Sequence, residues 1–449
     1  MGVTVLQVGE GRFLRAFMDV WIDEARRRGA FTGRLVVTAP RRSGSEGLER
    51  LRAAGGRYRV VVRGPAGDAV QEVAPFDRVV DGYADWPGLL GEVTAAVPLI
   101  VISNTTEAGL AYRPDRRESP ETYPGRLTAW LVARRAAWGA GAGAVAARTA
   151  VIPCELVADN GRLLRDAVLR HAADWGLDGE ALVADVPFAD TLVDRIVTSE
   201  DPAEPLTCFT EPYMAWYIAG MPAWVQDALG LDPRGVHWVE DATPARELKV
   251  RLLNGSHSFM AALGLQMEVP TVLDALRHPA LGPLARAALT AEAVDSFPVA
   301  RRPEARRFAQ ATLVRFENPG IQHVLARIAL QMTAKVAQRW TPILEGYRRE
   351  QAAWPERFAL ALAAYLRLAA RPGASSACDL VETDDAGWIA WLRALWRPGD
   401  PTGFVQAAAR EPRWPAPTAP DLLLRVAAHL AGLEQGVAAY VATMARASG

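Results

Sequence analysis

The chain has 449 residues, of which 50% are hydrophobic and 22% are charged, a composition typical of a globular protein with more than one domain. Its formal net charge of −1 excludes general electrostatic binding to nucleic acid or to an anionic membrane, and no segment has the roughly 20 unbroken apolar residues that span a bilayer. Three widely spaced cysteines, Cys154, Cys208 and Cys378, fit neither a disulfide framework nor a thiolate metal site, so a cytoplasmic protein is expected.

Short β-branched runs alternate with helical patterns in the first half of the chain, which predicts a parallel sheet with crossover helices. A helix is predicted over residues 13–27, and residues 57–74 predict a hairpin that turns at Gly64-Pro65-Ala66-Gly67. This order is typical of a nucleotide-binding α/β domain of the Rossmann type. The predicted strands cover residues 3–8, 34–39, 98–104 and 149–156.

The first predicted strand is followed at once by Gly9-x-Gly11 and a helical pattern. In that context a tight turn lets backbone amides approach a pyrophosphate group. The third glycine of this fingerprint is replaced by Leu14, so an ordinary turn between strand and helix is the alternative interpretation.

The second predicted strand ends in "VVTAPRRSG", where a dinucleotide-binding chain usually carries an acid for the ribose hydroxyls. Arg41 and Arg42 occupy this stretch instead and would tolerate or favour a 2′-phosphate. NADP is therefore an alternative to NAD as the cofactor, unless the two arginines are simply solvated.

From about residue 200 onward, helical periodicity replaces the β-branched runs, which predicts an all-α second half. Proline and glycine at "DPAEPLT" and "LDPRGVHW" place the junction between residues 200 and 242. We take 1–240 as the dinucleotide-binding domain and 241–449 as the helical domain for substrate binding and catalysis. The predicted helices cover residues 246–264, 272–278, 306–315, 321–349, 354–370, 386–396 and 421–445.

Lysine is nearly absent, because the 50 basic side chains include lysine only at Lys249 and Lys335. An ammonium can lose its proton when it is desolvated, whereas a guanidinium stays charged, so these two positions are candidates for acid–base chemistry. At 100° per residue, Lys249, Asn254 and His257 share one helix face within an arc of about 140°. Gly255 lies inside the same helix, which predicts a close approach by another group.

An amine, an amide and an imidazole on one face suit chemistry at a secondary alcohol beside a nicotinamide. Lys249 would exchange the hydroxyl proton, while Asn254 and His257 would donate hydrogen bonds to the oxygen. The alternative is an amphipathic helix with a polar stripe. A zinc-dependent reaction is not expected, because the six histidines and three cysteines form no local ligand pair.

Several spaced motifs make the chain resemble the polyol-specific long-chain dehydrogenase family, which includes mannitol dehydrogenases, fructuronate reductase and tagaturonate reductase. They are "GEGRFLRAF", "VISNTTEAG", "VIPCELVADNG", "FADTLVDRIVT", "KVRLLNGSH" and "VRFENPGIQH", in which Thr198 replaces the usual Pro or Ser. The similarity covers roughly residues 3 to 345. Within the family, the segments look most like tagaturonate reductases, which interconvert D-altronate and D-tagaturonate with NAD.

The resemblance implies an α/β Rossmann-type N-terminal domain, an all-α C-terminal domain, and a metal-independent site in the cleft between them. Lys249 would be the acid/base, Asn254 and Asn160 would polarise the substrate oxygen, and His257 would orient the substrate. Arg315 and Lys335 would bind the substrate carboxylate, unless they form ion pairs with Glu317 or other acids. The implied cofactor-binding residues are Gly9, Gly11, Arg12, Phe13, Arg41, Asn104, Thr106, Glu107, Asp194 and Arg195.

Two rival functions stay open. One is a sibling reaction with the same mechanism, fructuronate reduction or oxidation of mannitol or another polyol. The other is a non-catalytic sensor that binds a nicotinamide nucleotide. The expected partner is a small sugar acid or polyol, and the chain is expected to act as a monomer or homodimer.

Overall fold

The computed structural model describes residues 2–139, 145–198 and 203–447, apart from the side chains of Glu107 and Val381. The chain divides into two compact units, Met1–Ala245 (unit 1) and Arg246–Gly449 (unit 2). None of the helices in the described part of the chain is long and apolar enough to cross a membrane.

All strands of the described residues belong to unit 1. They are β1 (Thr4–Val8), β2 (Arg34–Thr38), β3 (Tyr58–Gly64), β4 (Gly67–Val73), β5 (Arg78–Val79), β6 (Leu99–Ser103), β7 (Thr149–Pro153), β8 (Asp190–Asp194), β9 (Cys208–Thr210), β10 (Ala215–Ala219) and β11 (Val236–Val239).

The largest sheet of unit 1 has the strand order β5-β2-β1-β6-β7, and every pair in it is parallel. The order runs outward from β1 in one direction and from β6 in the other, so the connection reverses between these two strands. Ligands of open α/β sheets bind beyond the carboxyl ends of the strands at such a point. The predicted Rossmann-type fold is confirmed.

Helices cover both faces of this sheet because its strands are apolar on both sides. Val5 and Ile100 point to one face, where they pack with residues of the second helix, and Leu6 and Val101 point to the other, where they pack with residues of the fourth to sixth helices. The helices of unit 1 are α1 (Arg12–Arg15), α2 (Met18–Arg27), α3 (Ser45–Ala53), α4 (Trp86–Val93), α5 (Tyr123–Trp138), α6 (Asn160–Asp174), α7 (Gly179–Val183) and α8 (Ala223–Leu229).

Two smaller sheets complete unit 1. The predicted hairpin is confirmed as β3 and β4, which pair antiparallel from Tyr58–Val73 to Gly64–Gly67, and β9 adds to β3 in parallel. The third sheet has the order β11-β10-β8. Sequence reasoning missed β8 to β11, because the change of pattern after residue 200 was assigned to helices.

Unit 2 is helical, as predicted, and its buried side chains form one apolar core. The helices from the unit boundary onward are α9 (Thr243–Leu248), α10 (Gly255–Gly264), α11 (Val272–Arg277), α12 (Leu281–Ala287), α13 (Arg302–Phe316), α14 (Leu325–Ile328), α15 (Met332–Lys335), α16 (Thr341–Gln351), α17 (Glu356–Ala370), α18 (Leu380–Thr383), α19 (Ala386–Leu395), α20 (Pro401–Ala408), α21 (Pro420–Gln435) and α22 (Val437–Arg446). Residues Lys249–Asn254, Ala288–Ala293 and Val336–Trp340 form π-helical segments.

Three predicted helices are broken in the structure. Residues 13–27 divide into α1 and α2, residues 321–349 divide into α14, α15 and α16, and residues 421–445 divide into α21 and α22. Gln331 precedes α15 with a φ of 55°, and Gly436 separates the last two helices with a φ of 152°. Apolar periodicity continues across these breaks because the flanking helices contribute to the same core, so the pattern alone does not locate them.

Candidate active site

The turn from β1 into α1 lies at the reversal point of the parallel sheet. Gly9 has a φ of 136°, a conformation that favours glycine, and a Cβ at this position would lie 2.9 Å from the carbonyl oxygen of Asn104. Gly11 precedes α1, and a Cβ there would have no atom within 4 Å. The two glycines therefore keep a close backbone approach on one side and open space on the other, which fits a dinucleotide phosphate.

The side chains next to this turn are partly accessible. Arg12 is exposed, and Phe13 is half-buried and stacks on Phe17 with ring centroids 5.1 Å apart. Leu14, the residue in place of the third glycine, is buried, and its Cδ1 lies 3.2 Å from the position that a Cβ of Gly9 would occupy. A packed leucine thus supports the turn from below.

The loop after β6 carries the next candidate residues. The Asn104 side-chain amide donates to the carbonyl oxygen of Cys154 over 2.7 Å, which joins the ends of β6 and β7. Thr106 has a φ of 111°, a strained conformation for a β-branched residue. Strain of this kind persists where the surrounding structure holds it and is frequent at ligand sites. The side chain of Glu107 lies outside the described part of the structure.

Glu155 anchors this strained loop. Its Oε1 accepts hydrogen bonds from the Thr105 backbone N–H at 2.8 Å and from the Thr105 hydroxyl at 3.1 Å. Burial raises the pKa of the Glu155 carboxyl, while these hydrogen bonds act in the opposite direction. The sequence analysis did not single out Glu155, although it lies within the "CELVADNG" motif.

Asp194 and Arg195 lie at the end of β8 and are both buried. The Arg195 guanidinium donates to the backbone oxygens of Glu211 and Ala16 and to Met214 Sδ. Burial lowers its pKa to about 10. These contacts give Arg195 a structural role within unit 1, because they tie β8 to the α1–α2 connection.

Arg41 and Arg42 differ in their surroundings although both are exposed. Arg42 forms an ion pair with Glu121 at 2.6 Å and its guanidinium lies over the Tyr83 ring, 5.2 Å from the centroid. Arg41 follows β2 in an extended conformation, and its charge acts on the carboxyl of Glu10. Of the two, Arg41 is therefore the one whose charge reaches the phosphate-binding turn.

Asn160 begins α6 and is fully buried. Its Nδ2 contacts Thr191 Oγ1 at 3.0 Å and the Glu155 carbonyl oxygen at 3.1 Å, and its Oδ1 accepts from the Thr191 N–H at 3.0 Å. An amide has two N–H donors, and both have partners here. The side chain thus connects α6 to β8 and to the loop after β7.

The segment that carries the Lys-Asn-His motif continues from α9 into α10, and its first part is π-helical rather than α-helical. Within Lys249–Asn254 the backbone has the wider turn of i→i+5 bonding, and the Gly255 N–H donates to the Val250 carbonyl oxygen. Residues five positions apart are therefore about one turn apart, so Lys249 and Asn254 are nearer to the same face than the predicted arc of about 140°. Single π-turns of this kind are frequent at functional sites.

The predicted close approach at Gly255 is confirmed. A Cβ on this residue would lie 2.8 Å from Ile343 Cδ1 on α16, and its carbonyl oxygen accepts from the Trp340 indole N–H at 3.0 Å. Lys249 is 9% exposed and His257 is 6% exposed, while Asn254 is half-buried. The lysine nitrogen therefore belongs to a largely desolvated side chain.

His257 is the centre of a cluster of basic groups in unit 2. Burial lowers its pKa well below the usual value, and the neighbouring charges of His323, Arg339, Arg315 and Lys249 act in the same direction. Its ring stacks on Phe316 at 4.4 Å and meets the edge of His323 at 4.7 Å. Nε2 is buried and has no hydrogen-bond partner among the described residues. His257 is therefore a neutral imidazole with an unsatisfied polar atom.

Three further residues surround this cluster. Arg315 is 7% exposed, and Glu317, its suggested ion-pair partner, forms an ion pair with Arg286 at 2.6 Å. Arg339 donates to Ser258 Oγ at 2.9 Å. Lys335 ends α15 and donates to the carbonyl oxygen of Ile328 at 2.9 Å.

Sequence reasoning missed His323 and Arg339 as members of the cluster. His323 lies within the quoted motif "VRFENPGIQH", but it was considered only as a metal ligand. Burial lowers its pKa to about 4, with the charge of Arg315 acting in the same direction. The signal that was available is a histidine eight residues after a candidate carboxylate-binding arginine, on the loop that follows its helix. Across the described residues, no group of three His, Cys, Asp or Glu side chains is placed to hold a metal ion.

Comparison with known proteins gives a consistent result over both units. The Mannitol dehydrogenase Rossmann domain matches residues 3–227, and the Mannitol dehydrogenase C-terminal domain matches residues 241–388. The chain is 35% identical to the altronate oxidoreductase of Bacillus subtilis (strain 168) over 387 residues, which are 81% of this chain and 78% of that protein. It is 33% identical to the altronate oxidoreductase of Klebsiella pneumoniae over 419 residues, 87% of this chain and 84% of that protein.

Solved structures agree with this assignment at the level of the fold. The Pseudomonas fluorescens mannitol 2-dehydrogenase, in a ternary complex with NAD and D-mannitol, superposes with a TM-score of 0.76 at 20% identity, covering 99% of this chain and 95% of the other. D-Sorbitol dehydrogenase in its substrate-free form gives 0.77 at 19% identity, covering 97% and 94%.

The fold and the spaced motifs define a dehydrogenase that acts on CH–OH groups with a nicotinamide cofactor and a small sugar or polyol substrate. The chain belongs to the mannitol dehydrogenase family.

Proposed function

We propose that this protein interconverts D-tagaturonate and D-altronate with NAD, without a metal ion, and uses Lys249 as the acid/base. The observation that carries the proposal is the basic cluster around His257, in which a buried lysine and a buried arginine act on one neutral, unsatisfied imidazole. The identity with altronate oxidoreductases over most of the chain supports the choice of substrate.

Unit 1 binds the cofactor in this proposal. Gly9, Gly11, Arg12 and Phe13 hold the pyrophosphate side, and Arg41 lies toward the adenosine side. Around the nicotinamide half we place the loop that contains Asn104, Thr106 and Glu107, with Asp194 and Arg195 supporting it. A bound nicotinamide supplies the acceptor or the donor for hydride.

Unit 2 manages the proton and the substrate. During oxidation of the alcohol, Lys249 Nζ accepts the hydroxyl proton, and during reduction of the ketone it returns that proton. Arginine cannot replace it, because a guanidinium does not release its proton at ordinary pH. The scarcity of lysine in the sequence is consistent with a specific need for an amine at this position.

Asn254 and His257 polarise the substrate oxygen. The neutral imidazole has one N–H to donate, and a substrate hydroxyl or carbonyl would satisfy the buried Nε2. Asn160 is proposed as a positioning residue, because both of its N–H donors are used to hold α6 and β8 together. Arg315 binds the substrate carboxylate, and Lys335 supports it from α15.

Replacement of Lys249 tests the proposed function. Lys249→Ala is expected to lower turnover by about 10²–10⁴-fold, while binding of NAD, followed by protein fluorescence, is retained. Lys249→Arg keeps the charge and is expected to be nearly as damaging, because the removable proton is lost. Unchanged turnover in either variant would contradict the role of Lys249 as acid/base.

A substrate panel separates the proposal from its rivals. Steady-state rates are measured with D-tagaturonate, D-fructuronate and D-fructose, each with NADH and with NADPH. A preference for fructose rejects an acid-specific site, and a preference for fructuronate assigns the sibling reaction. Tight nucleotide binding with no turnover on any of the three would favour the nucleotide sensor. A cytoplasmic location and a monomeric or homodimeric state complete the proposal, and light scattering of the purified protein tests the latter.

A further inference from the structure

The carboxylate of Glu10 reaches from the phosphate-binding turn to the loop after β2. A Cβ on Gly44 would lie 2.6 Å from Glu10 Oε1 and 2.7 Å from the Cβ of Ala39, the residue that follows β2. A Cβ on Gly47 would lie 2.8 Å from Glu10 Cγ. The sequence "RSGSEG" therefore has glycine at the two positions where any other residue would displace this side chain.

The Glu10 carboxylate lacks a full set of hydrogen bonds. Its Oε2 is buried and has no partner among the described residues. Burial raises the pKa of the carboxyl, and the nearby charges of Arg41 and Arg15 oppose that shift. A buried carboxylate oxygen without a donor is costly, so this oxygen favours a ligand that supplies hydroxyl or N–H groups.

The place that Glu10 reaches is the one where Rossmann-type domains recognise the adenosine ribose. In those domains an acid at the end of the second strand accepts hydrogen bonds from the ribose hydroxyls. Here the end of β2 is followed by Ala39, Pro40 and Arg41, none of which is an acid. The carboxylate beside this strand end comes instead from the turn after β1.

We propose that Glu10 is the residue that selects NAD over NADP, by accepting hydrogen bonds from the adenosine ribose in place of the acid that β2 lacks. The proposal rests on the proposed function and adds a residue to it. A 2′-phosphate would bring negative charge against the Glu10 carboxylate and remove the hydroxyl donor, so NADP is disfavoured twice. Arg41 alone would have the opposite effect, because its guanidinium attracts a phosphate.

The test measures the dissociation constants of NAD⁺ and NADP⁺ for the full-length protein by titration calorimetry, with no sugar substrate present. The wild-type protein is expected to prefer NAD⁺. In Glu10→Gln, which keeps the shape and removes the charge, the preference is expected to fall by about 10-fold or more. Glu46→Gln is the matched control, since Glu46 is an exposed acid on α3 that pairs with Arg50, and it should leave the preference unchanged.

A second variant displaces Glu10 without altering its chemistry. Gly47 lies within α3, where alanine is the better helix former, so Gly47→Ala is expected to leave the melting temperature unchanged or higher. Its Cβ would push on Glu10 Cγ, and the NAD⁺ preference should fall as it does in Glu10→Gln. This combination separates recognition of the ribose from a general loss of stability.

The proposal is overturned if the ratio of the two dissociation constants is the same in Glu10→Gln as in the wild type, or if the affinities for both nucleotides fall equally. It is also overturned if the wild-type protein binds NADP⁺ as tightly as NAD⁺ or binds neither. The proposed function fails separately when the nucleotide preference depends on Glu10 but no hexuronate is turned over.

Discussion

Arg315 is the buried cation best suited to distinguish a sugar acid from a neutral sugar. It is 7% exposed, and its charge acts on both His257 and His323. A planar guanidinium can bind a carboxylate through two parallel hydrogen bonds, whereas a neutral hydroxymethyl group offers no charge to it. Loss of this side chain should therefore affect acidic substrates selectively.

Arg315→Gln is expected to lower kcat/KM for tagaturonate by about 10- to 100-fold, and the ratio of tagaturonate to fructose activity should fall by a similar factor. The exposed Arg286, which pairs with Glu317 near the end of the same helix, provides the control. Arg286→Gln removes one positive charge from the region and should change neither substrate by more than about twofold. An equal loss for both substrates in Arg315→Gln would show that the arginine acts on something other than the carboxylate.

Residue chemistry was predictable where composition made a position unusual. Only two lysines among 50 basic residues identified Lys249, and the structure shows it buried beside His257. The contacts of Asn160 could not be predicted, because Thr191 is distant in sequence and its pairing with Asn160 depends on how β8 packs. The location of His323 against His257 depends in the same way on the path of the loop after α13.

At the scale of elements, the helix with the Lys-Asn-His motif depends on a close contact with α16. Gly255 follows the π-helical segment, and Ile343, which is fully buried, occupies the space where a side chain at 255 would begin. A methyl group at 255 would force the two helices apart or displace the isoleucine. The motif residues on either side, Asn254 and His257, would move with the backbone.

Gly255→Ala is expected to destabilise the protein by about 1–2 kcal/mol, because overpacking costs about 1–3 kcal/mol and the gain in helix propensity is at most about 1 kcal/mol. Ile343→Val removes the Cδ1 methyl group and alone should cost about 0.5–1.5 kcal/mol. The double variant should be more stable than the sum of the two predicts, by about 1 kcal/mol. Urea denaturation of the four proteins measures this coupling, and strictly additive losses would mean that the contact is not what requires glycine.

Element prediction succeeded where the pattern had one cause. The apolar β-branched runs at β1, β2, β6 and β7 are buried on both faces of a parallel sheet, and all four were predicted. The helix over residues 246–264 was predicted with α-helical spacing, and its π-helical turn was not, because both forms bury the same leucines. Left-handed residues such as Gln331 carry no clear sequence signal, since glutamine is not typical of that conformation.

At the scale of the whole molecule, each unit has a core of its own. In unit 1 the apolar clusters lie on the two faces of the parallel sheet, and in unit 2 one cluster extends from α9 to α22. The family's C-terminal domain matches only as far as residue 388, yet α21 packs against α17 within that same cluster. The last sixty or so residues, whose role the sequence did not indicate, are therefore part of the core of unit 2.

This location predicts that a substitution far along the chain weakens the fold of unit 2 without altering its chemistry. Leu430 on α21 is fully buried in the cluster, and Leu430→Ala is expected to cost about 2–5 kcal/mol of stability. Leu424 on the same helix is 56% exposed, so Leu424→Ala should change stability by no more than about 0.5 kcal/mol.

Thermal denaturation and steady-state kinetics at 20 °C or below would be measured on both leucine variants, so that the folded fraction stays high. KM for substrate and for NAD should match the wild type in each, because neither leucine belongs to the proposed machinery. A raised KM in Leu430→Ala at full folding would instead mean that α21 helps to position the groups around His257. Equal melting temperatures for the two variants would contradict the inclusion of α21 in the core, since only one of the two side chains is buried there.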